Sequence, residues 1–199
     1  LDSKSVWAET YRTMRTSVLF SDSKAKSRTI LVTSPQAGDG KTTVVSNLAI
    51  AMAQAGQKTL VLEADFRRPM QNRIFGANHD NKGLSSVLAG ADELEKVIKT
   101  TCVPGLDLLT CGPDVTNPSE TLHGESFNQI LKLLAKQYDR IIVDSPPVLP
   151  VTDAQILASI CQITILVLRA EKSTRKASQQ AHDALLRVGA RVLGVVVND

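Results

Sequence analysis

The sequence predicts an α/β protein built on a mostly parallel sheet with helices on both faces. Three observations predict it. Short apolar, β-branched runs recur along the chain, among them Ile30-Leu31-Val32, Ile141-Ile142-Val143 and the QITILVL segment 162–168. Such runs suit strands buried on both faces. Between them lie stretches with helical apolar spacing, such as Phe127, Ile130, Leu131 and Leu134, and strands alternating with helices give a parallel sheet. The 199 residues, 43% hydrophobic and 22% charged, suffice for one domain with a sizeable core.

Composition also excludes. A net charge of +3 does not argue for nucleic acid, although Arg12, Arg15, Lys24, Lys26 and Arg28 cluster near the start. Cys102, Cys111 and Cys161 are odd in number and lack C-x-x-C spacing. Neither a zinc site nor a disulfide framework is expected, and a reducing cytoplasm is the default. No apolar run is long enough to span a bilayer and no signal peptide is visible, so work at a membrane would need another agent. The chain lacks an initiating Met and stops after a strand-like run, so it reads as an excised domain.

Taken in order, residues 5–20 form an amphipathic helix with Val6, Trp7, Tyr11, Val18 and Leu19 on its apolar side. Glu9, Arg12 and Arg15 follow at i,i+3 spacing, which puts them on one stripe. The stripe is either a solvated face with local ion pairs or a docking surface for a neighbouring subunit. Residues 21–28 are a polar, basic linker.

The stretch 29–43, TILVTSPQAGDGKTT, carries the chemistry. A strand over 30–32 leads into a turn with Pro35, Gly38 and Gly40, and Lys41-Thr42-Thr43 opens a helix that ends at Gly56. Strand, glycine-bearing loop, Gly-Lys-Thr and helix describe a phosphate-binding loop, although Pro35 replaces the first glycine of G-x-x-x-x-G-K-[ST]. Loop N–H groups and the helix N-terminus offer donors to a triphosphate. Lys41 reaches the β- and γ-phosphates, and the Thr42 hydroxyl can ligate Mg²⁺. Gly38, Asp39, Gly40 and Thr43 complete the nucleotide-binding set.

A second strand over 58–65 ends in Glu63, Asp65, Arg67 and Arg68, at the end of an open sheet where ligands sit. Acids there can hold the metal or accept a proton from an attacking hydroxyl. Residues 69–90 are loop-rich with a helical piece at 84–88, another short helix covers 92–99, and a strand covers 106–110. Asn117-Pro118-Ser119 marks a helix start. A helix over 127–138 precedes the run Arg140 to Asp144, whose terminal aspartate fits the second acidic motif of phosphate-loop NTPases. A helix over 152–159, a strand over 162–168, a helix over 174–188 and a strand over 191–197 close the chain. His79, His123 and His182 read as surface or satisfied histidines.

The order of these motifs resembles that of the bacterial tyrosine kinases that control capsular and exopolysaccharide synthesis. Glu9, Arg12 and Arg15 match, as do Gly38-Asp39-Gly40-Lys41-Thr42-Thr43, Glu63-Ala64-Asp65-Phe66-Arg67-Arg68-Pro69, Asn117-Pro118-Ser119-Glu120 and Ile142-Val143-Asp144-Ser145-Pro146-Pro147. The resemblance covers essentially the whole chain. It implies a phosphate-loop NTPase fold of the MinD/ParA type, with residues 1–28 an oligomerisation helix and linker and 29–199 the nucleotide-binding core. It implies ATP and Mg²⁺, Lys41 on the transferring phosphoryl, Asp65 and Asp144 on the metal, and the acid at 63 as base for a tyrosine hydroxyl. Asn198, just past the last strand, is the implied base contact. By the same resemblance the Glu9, Arg12 and Arg15 stripe joins copies into a ring, an octamer, each offering a tyrosine tail to its neighbour. The implied activator is the cytoplasmic segment of a membrane protein, which places the kinase at the inner face of the membrane.

Two departures stand out. Family members usually carry Asp at position 63; the extra methylene of Glu63 moves the carboxylate by about 1.5 Å, and about 1 Å can cost roughly 100-fold in rate. Glu63 serves as base after local adjustment, or the kinase is slow. The C-terminal tyrosine cluster is absent, with Tyr11 and Tyr138 the tyrosines present. The competing readings are a MinD/ParA-like ATPase switch, disfavoured by Gln36 where those proteins carry an early loop lysine, and a catalytically weak regulator of polysaccharide assembly. A nitrogenase-like iron protein is disfavoured because the cysteines lack cluster context.

Overall fold

The structure, a computed structural model, describes residues 6–21, 27–77 and 81–199. Most of the expected basic linker and His79 lie outside those residues. Helix α1 (Val6–Ser21) precedes β1 (Thr29–Thr33), and α2 (Lys41–Gln54) returns to β2 (Thr59–Glu63). Short helices α3 (Gln71–Ile74), α4 (Leu84–Leu88) and α5 (Leu94–Val97) follow, then β3 (Lys99–Thr100) and β4 (Leu106–Leu109). Helices α6 (Pro118–His123) and α7 (Glu125–Gln137) lead to β5 (Arg140–Asp144). Helix α8 (Asp153–Ile160) leads to β6 (Ile163–Arg169), and α9 (Arg175–Arg187) to β7 (Val192–Asn198).

The strands form one sheet in the order β3-β4-β2-β5-β1-β6-β7. All neighbours are parallel except β3 and β4. Alternate residues of each strand face opposite ways, so one set of apolar runs fills two cores. Ile30, Val32, Val61, Ile142 and Ile165 pack with Val44, Val45, Leu48 and Met52 of α2. Leu31, Leu60, Leu62, Ile141 and Val143 pack on the other face with Leu84, Phe127, Leu131, Leu134 and Leu157. Helix α1 lies outside α2, held by buried Val18 and by Arg15, whose Nη1 donates to the Ala51 carbonyl at 3.0 Å. Glu9 and Arg12 pair at 3.0 Å on its outer side.

Local signals explain the ends. Gly56 adopts φ +81° just after α2 and donates to the Ala53 carbonyl, a turn only glycine enters without strain. The Thr174 hydroxyl accepts from the Ala177 N–H and starts α9. Two stretches differ from expectation. The helix over 92–99 shrinks to Leu94–Val97, because Ile98 turns extended and Lys99 pairs antiparallel with Leu108. The loop after β2 contains α3, a single turn too short to show apolar periodicity.

What positions the site is register. Glu63 stands beside Asp144, and Val32 beside Asp144, so β1, β2 and β5 end side by side. Their carboxyl ends form the crevice where open α/β sheets take ligands.

Candidate nucleotide site

β1 releases the chain at Thr33, and residues 34–40 loop back over the strand end before α2 begins. Gly38 and Gly40 hold φ +85° and +90°. The loop is braced from within: the buried Asp39 carboxylate accepts from the Gln36 N–H at 2.9 Å, and the Ser34 hydroxyl donates to the Gln36 carbonyl at 2.7 Å. Asp39 therefore shapes the loop with its side chain. Arg169, from the end of β6, donates to the Gly38 carbonyl at 3.1 Å, and Asn198 donates to the Asp39 carbonyl at 3.3 Å. Asn198 is the last residue of β7 rather than beyond it. No side chain caps α2 at Gly40, so its first-turn N–H groups remain for an anion. The loop, Lys41 to Thr43, Arg169 and Asn198 enclose a cavity of about 350 Å³.

Gly40 has no room for a side chain: a Cβ would stand 2.0 Å from Asn198 Nδ2. Gly40→Ala is therefore expected to weaken nucleotide binding at least about tenfold by pushing Asn198 off the loop and straining a positive φ. Isothermal titration would show it, and an unchanged affinity would refute the close fit.

Lys41 is 9% exposed and its Nζ lies 3.3 Å from Asp65 Oδ2. The other oxygen of Asp65 accepts from the N–H groups of Arg67 and Arg68 at 3.2 and 3.0 Å. Asp144 is buried at the end of β5, and its Oδ2 accepts from Gln71 Nε2 at 2.8 Å. Burial pushes the Asp144 carboxyl up to about 7, against the pull of Lys41 and the Gln71 hydrogen bond. Asp144 Oδ1 and Gln71 Oε1 are buried with no hydrogen-bond partner among the described residues. Two orphaned acceptors beside the Thr42 backbone are the chemistry a hydrated cation answers. Among the described residues no three His, Cys, Asp or Glu side chains group into a metal cage. The residues present thus fit an ion that keeps several waters and shares phosphate oxygens, as Mg²⁺ does.

Glu63 sits differently from the expected base. It is 1% exposed; its Oε1 accepts from the Met70 and Gln71 N–H groups at 2.6 and 2.7 Å, and its Oε2 from the Cys111 N–H at 3.2 Å. Burial raises its pKa while these bonds pull it down. Backbone donors take three of the four acceptor sites of the longer side chain, which leaves little of it for an attacking hydroxyl. These bonds make Glu63 a fastener of the loop after β2, at the position where the sequence leads one to expect a proton acceptor.

Sequence reasoning also missed Gln71, Arg169 and a polar cluster nearby. Arg67 donates to both oxygens of buried Asp153 at 2.8 and 3.2 Å, and Ser119 donates to the same carboxylate. Burial alone would raise Asp153, but the bonds from Arg67 and Ser119 hold it below the usual carboxylate range. Arg169 could have been found as a strand-end charge; Gln71 carried no signal. Of the Glu9, Arg12 and Arg15 stripe on α1, Glu9 and Arg12 pair with each other and Arg15 turns to the Ala51 carbonyl of α2.

A parallel sheet with a phosphate-type loop and acids on two neighbouring strands defines a P-loop nucleotide-binding protein. Residues 27–185 match the family described as AAA domain. The septum site-determining protein MinD from Pyrococcus horikoshii, solved with Mg-ADP, superposes with a TM-score of 0.74 at 28% identity, over 86% of this chain and 70% of that one. The kinase domain of the Escherichia coli tyrosine kinase ETK superposes with a TM-score of 0.92 at 35% identity, over 96% of this chain and 74% of that one. The tyrosine-protein kinase YwqD of Bacillus subtilis is 34% identical over 98% of this chain and 82% of its own length. The chain belongs to the bacterial tyrosine-protein kinases.

Proposed function

We propose that the chain binds ATP with Mg²⁺ in this crevice and transfers the γ-phosphoryl group to a tyrosine hydroxyl of a protein. The observation that carries the reading is Lys41 at 3.3 Å from Asp65, beside the buried Asp144 with its unpaired oxygen. The N–H groups of residues 38–43 would take the phosphates, and Asn198 the base side of the nucleotide. Thr42 and Asp144 would hold the metal, which supplies charge neutralisation on the phosphates.

Lys41 turns from Asp65 to the phosphates when ATP binds, which frees one Asp65 oxygen at the crevice. The tyrosine oxygen bonds to the γ-phosphorus, the bond to the β,γ-bridging oxygen breaks, and ADP leaves. The tyrosine proton passes to Asp65 rather than to Glu63, whose oxygens are engaged. Positioning and charge stabilisation supply the catalysis.

By family membership, the exposed Glu9–Arg12 side of α1 docks on a neighbouring copy within a ring. A membrane protein's cytoplasmic segment activates the kinase in polysaccharide export, at the inner face of the membrane. Trp7 and Phe20, on the same helix, support this: they are 64% and 78% exposed. No helix among the described residues is long and apolar enough to cross a membrane.

The test is Mg-ATP with a tyrosine-bearing tail peptide and the activator segment, reading phosphotyrosine and free phosphate separately. Phosphotyrosine supports the kinase; phosphate without phosphotyrosine points to an ATP-driven assembly switch. Glu63→Asp discriminates the role at 63. Shortening the fastener is expected to lower transfer about tenfold and loosen nucleotide binding, whereas a rise would return the base to position 63.

A further inference from the structure

Gln71 is the first residue of a four-residue helix and is fully buried. Its amide nitrogen donates at 2.8 Å to Asp144 Oδ2, 73 residues away in the chain, and at 3.3 Å to the Thr42 carbonyl, 29 residues away. Its own backbone N–H is held by Glu63 at 2.7 Å. One residue, through its side chain and its backbone N–H, thus connects the acid at the end of β5, the first turn of α2 and the buried acid at the end of β2. An apolar side chain would fill the same volume but leave the buried Asp144 Oδ2 without its donor.

The chemistry of the amide explains its presence. A carboxylate that must face a cation needs one oxygen fixed and the other available. An Arg or Lys donor would fix Asp144 but also neutralise it, and would repel the cation. A neutral amide fixes Oδ2 and leaves the charge and Oδ1 for the ion. The second bond, to the Thr42 carbonyl, holds the carboxylate in register with the hydroxyl-bearing residue that shares the site.

We propose that Gln71 is a positioning residue of the metal site, orienting Asp144 against Thr42, and that Glu63 serves the site by holding Gln71. This rests on the Mg²⁺-nucleotide reading above. It assigns a purpose to the backbone bonds of the buried Glu63 and to the short helix after it, which carries no signal in the sequence. A packing role alone would alter stability and leave the magnesium requirement where it was.

The experiment measures binding of a fluorescent ADP analogue to the full chain, in EDTA and across a Mg²⁺ titration. Parent, Gln71→Met and Gln71→Asn are compared, with thermal unfolding of each in EDTA. Met preserves length without hydrogen bonds; Asn keeps the amide one methylene short of both partners and serves if Met does not fold. The expected result is an affinity in EDTA within about threefold of the parent and a Mg²⁺ requirement raised about 10- to 100-fold. A requirement within about twofold of the parent in variants that bind normally in EDTA would overturn the proposal while leaving the metal reading intact. A parent whose ADP binding ignores Mg²⁺ would remove the metal reading, and this proposal with it.

Discussion

Lys41→Met is expected to cut phosphotyrosine formation by about 100- to 1,000-fold, the scale set by removing one donor to developing phosphoryl charge. Met has nearly the length of Lys and suits a site 9% exposed, so packing around α2 survives. The charge does not. Asp65, 3% exposed, loses the ammonium 3.3 Å away but keeps its two backbone donors from Arg67 and Arg68. A stability loss of about 1–3 kcal/mol follows from the unpaired carboxylate. Assaying transfer well below the variant's unfolding temperature separates the two effects. A folded Lys41→Met chain that transfers phosphate at the parental rate would remove Lys41 from the mechanism.

The second large effect runs the opposite way for stability. Asp144→Asn is expected to abolish the magnesium dependence of nucleotide binding and yet to stabilise the metal-free protein at pH 8. Burial pushes Asp144 from its ordinary 3.8 up to about 7 in the folded protein. The folded state therefore binds the proton more tightly than the unfolded chain, and this group's contribution to stability falls as pH rises from about 4 to about 7. Above pH 7 the full cost of an ionised buried carboxylate is present, of order a few kcal/mol. Asparagine removes that cost. The unfolding temperature of Asp144→Asn in EDTA should exceed the parent's by several degrees at pH 8, and the gap should close as the pH falls toward 4. A variant less stable than the parent at pH 8, or a gap independent of pH, would contradict this account.

Much of the fold is legible in the order of residues alone. Strands and helices fall where apolar runs and periodicity put them; the helix expected over 127–138 runs Glu125–Gln137, and the strand expected over 162–168 runs Ile163–Arg169. The phosphate loop is legible because it is local: β1, the two positive-φ glycines and the start of α2 are consecutive, so spacing alone describes them. The carboxylates at 63, 65 and 144 are legible as strand ends. Their individual geometry is not. Whether an acid faces the crevice or turns to backbone depends on groups brought from elsewhere, and Glu63 meets Cys111 only because β4 lies beside β2.

By itself, then, the sequence determined the alternation of strands and helices, the phosphate loop with Lys41 and Thr42, and the family. The elements and the loop depend on residue order over stretches of about fifteen residues or fewer, and the family on the order of such motifs along the chain. Tertiary structure decided which strands are neighbours, that Glu63 fastens a loop, and that Gln71 joins Asp144 to Thr42. It also decided that Arg67, Ser119 and Asp153 share one network. Those outcomes rest on contacts between segments far apart in the chain, where the sheet order sets distance and no local pattern records the partner.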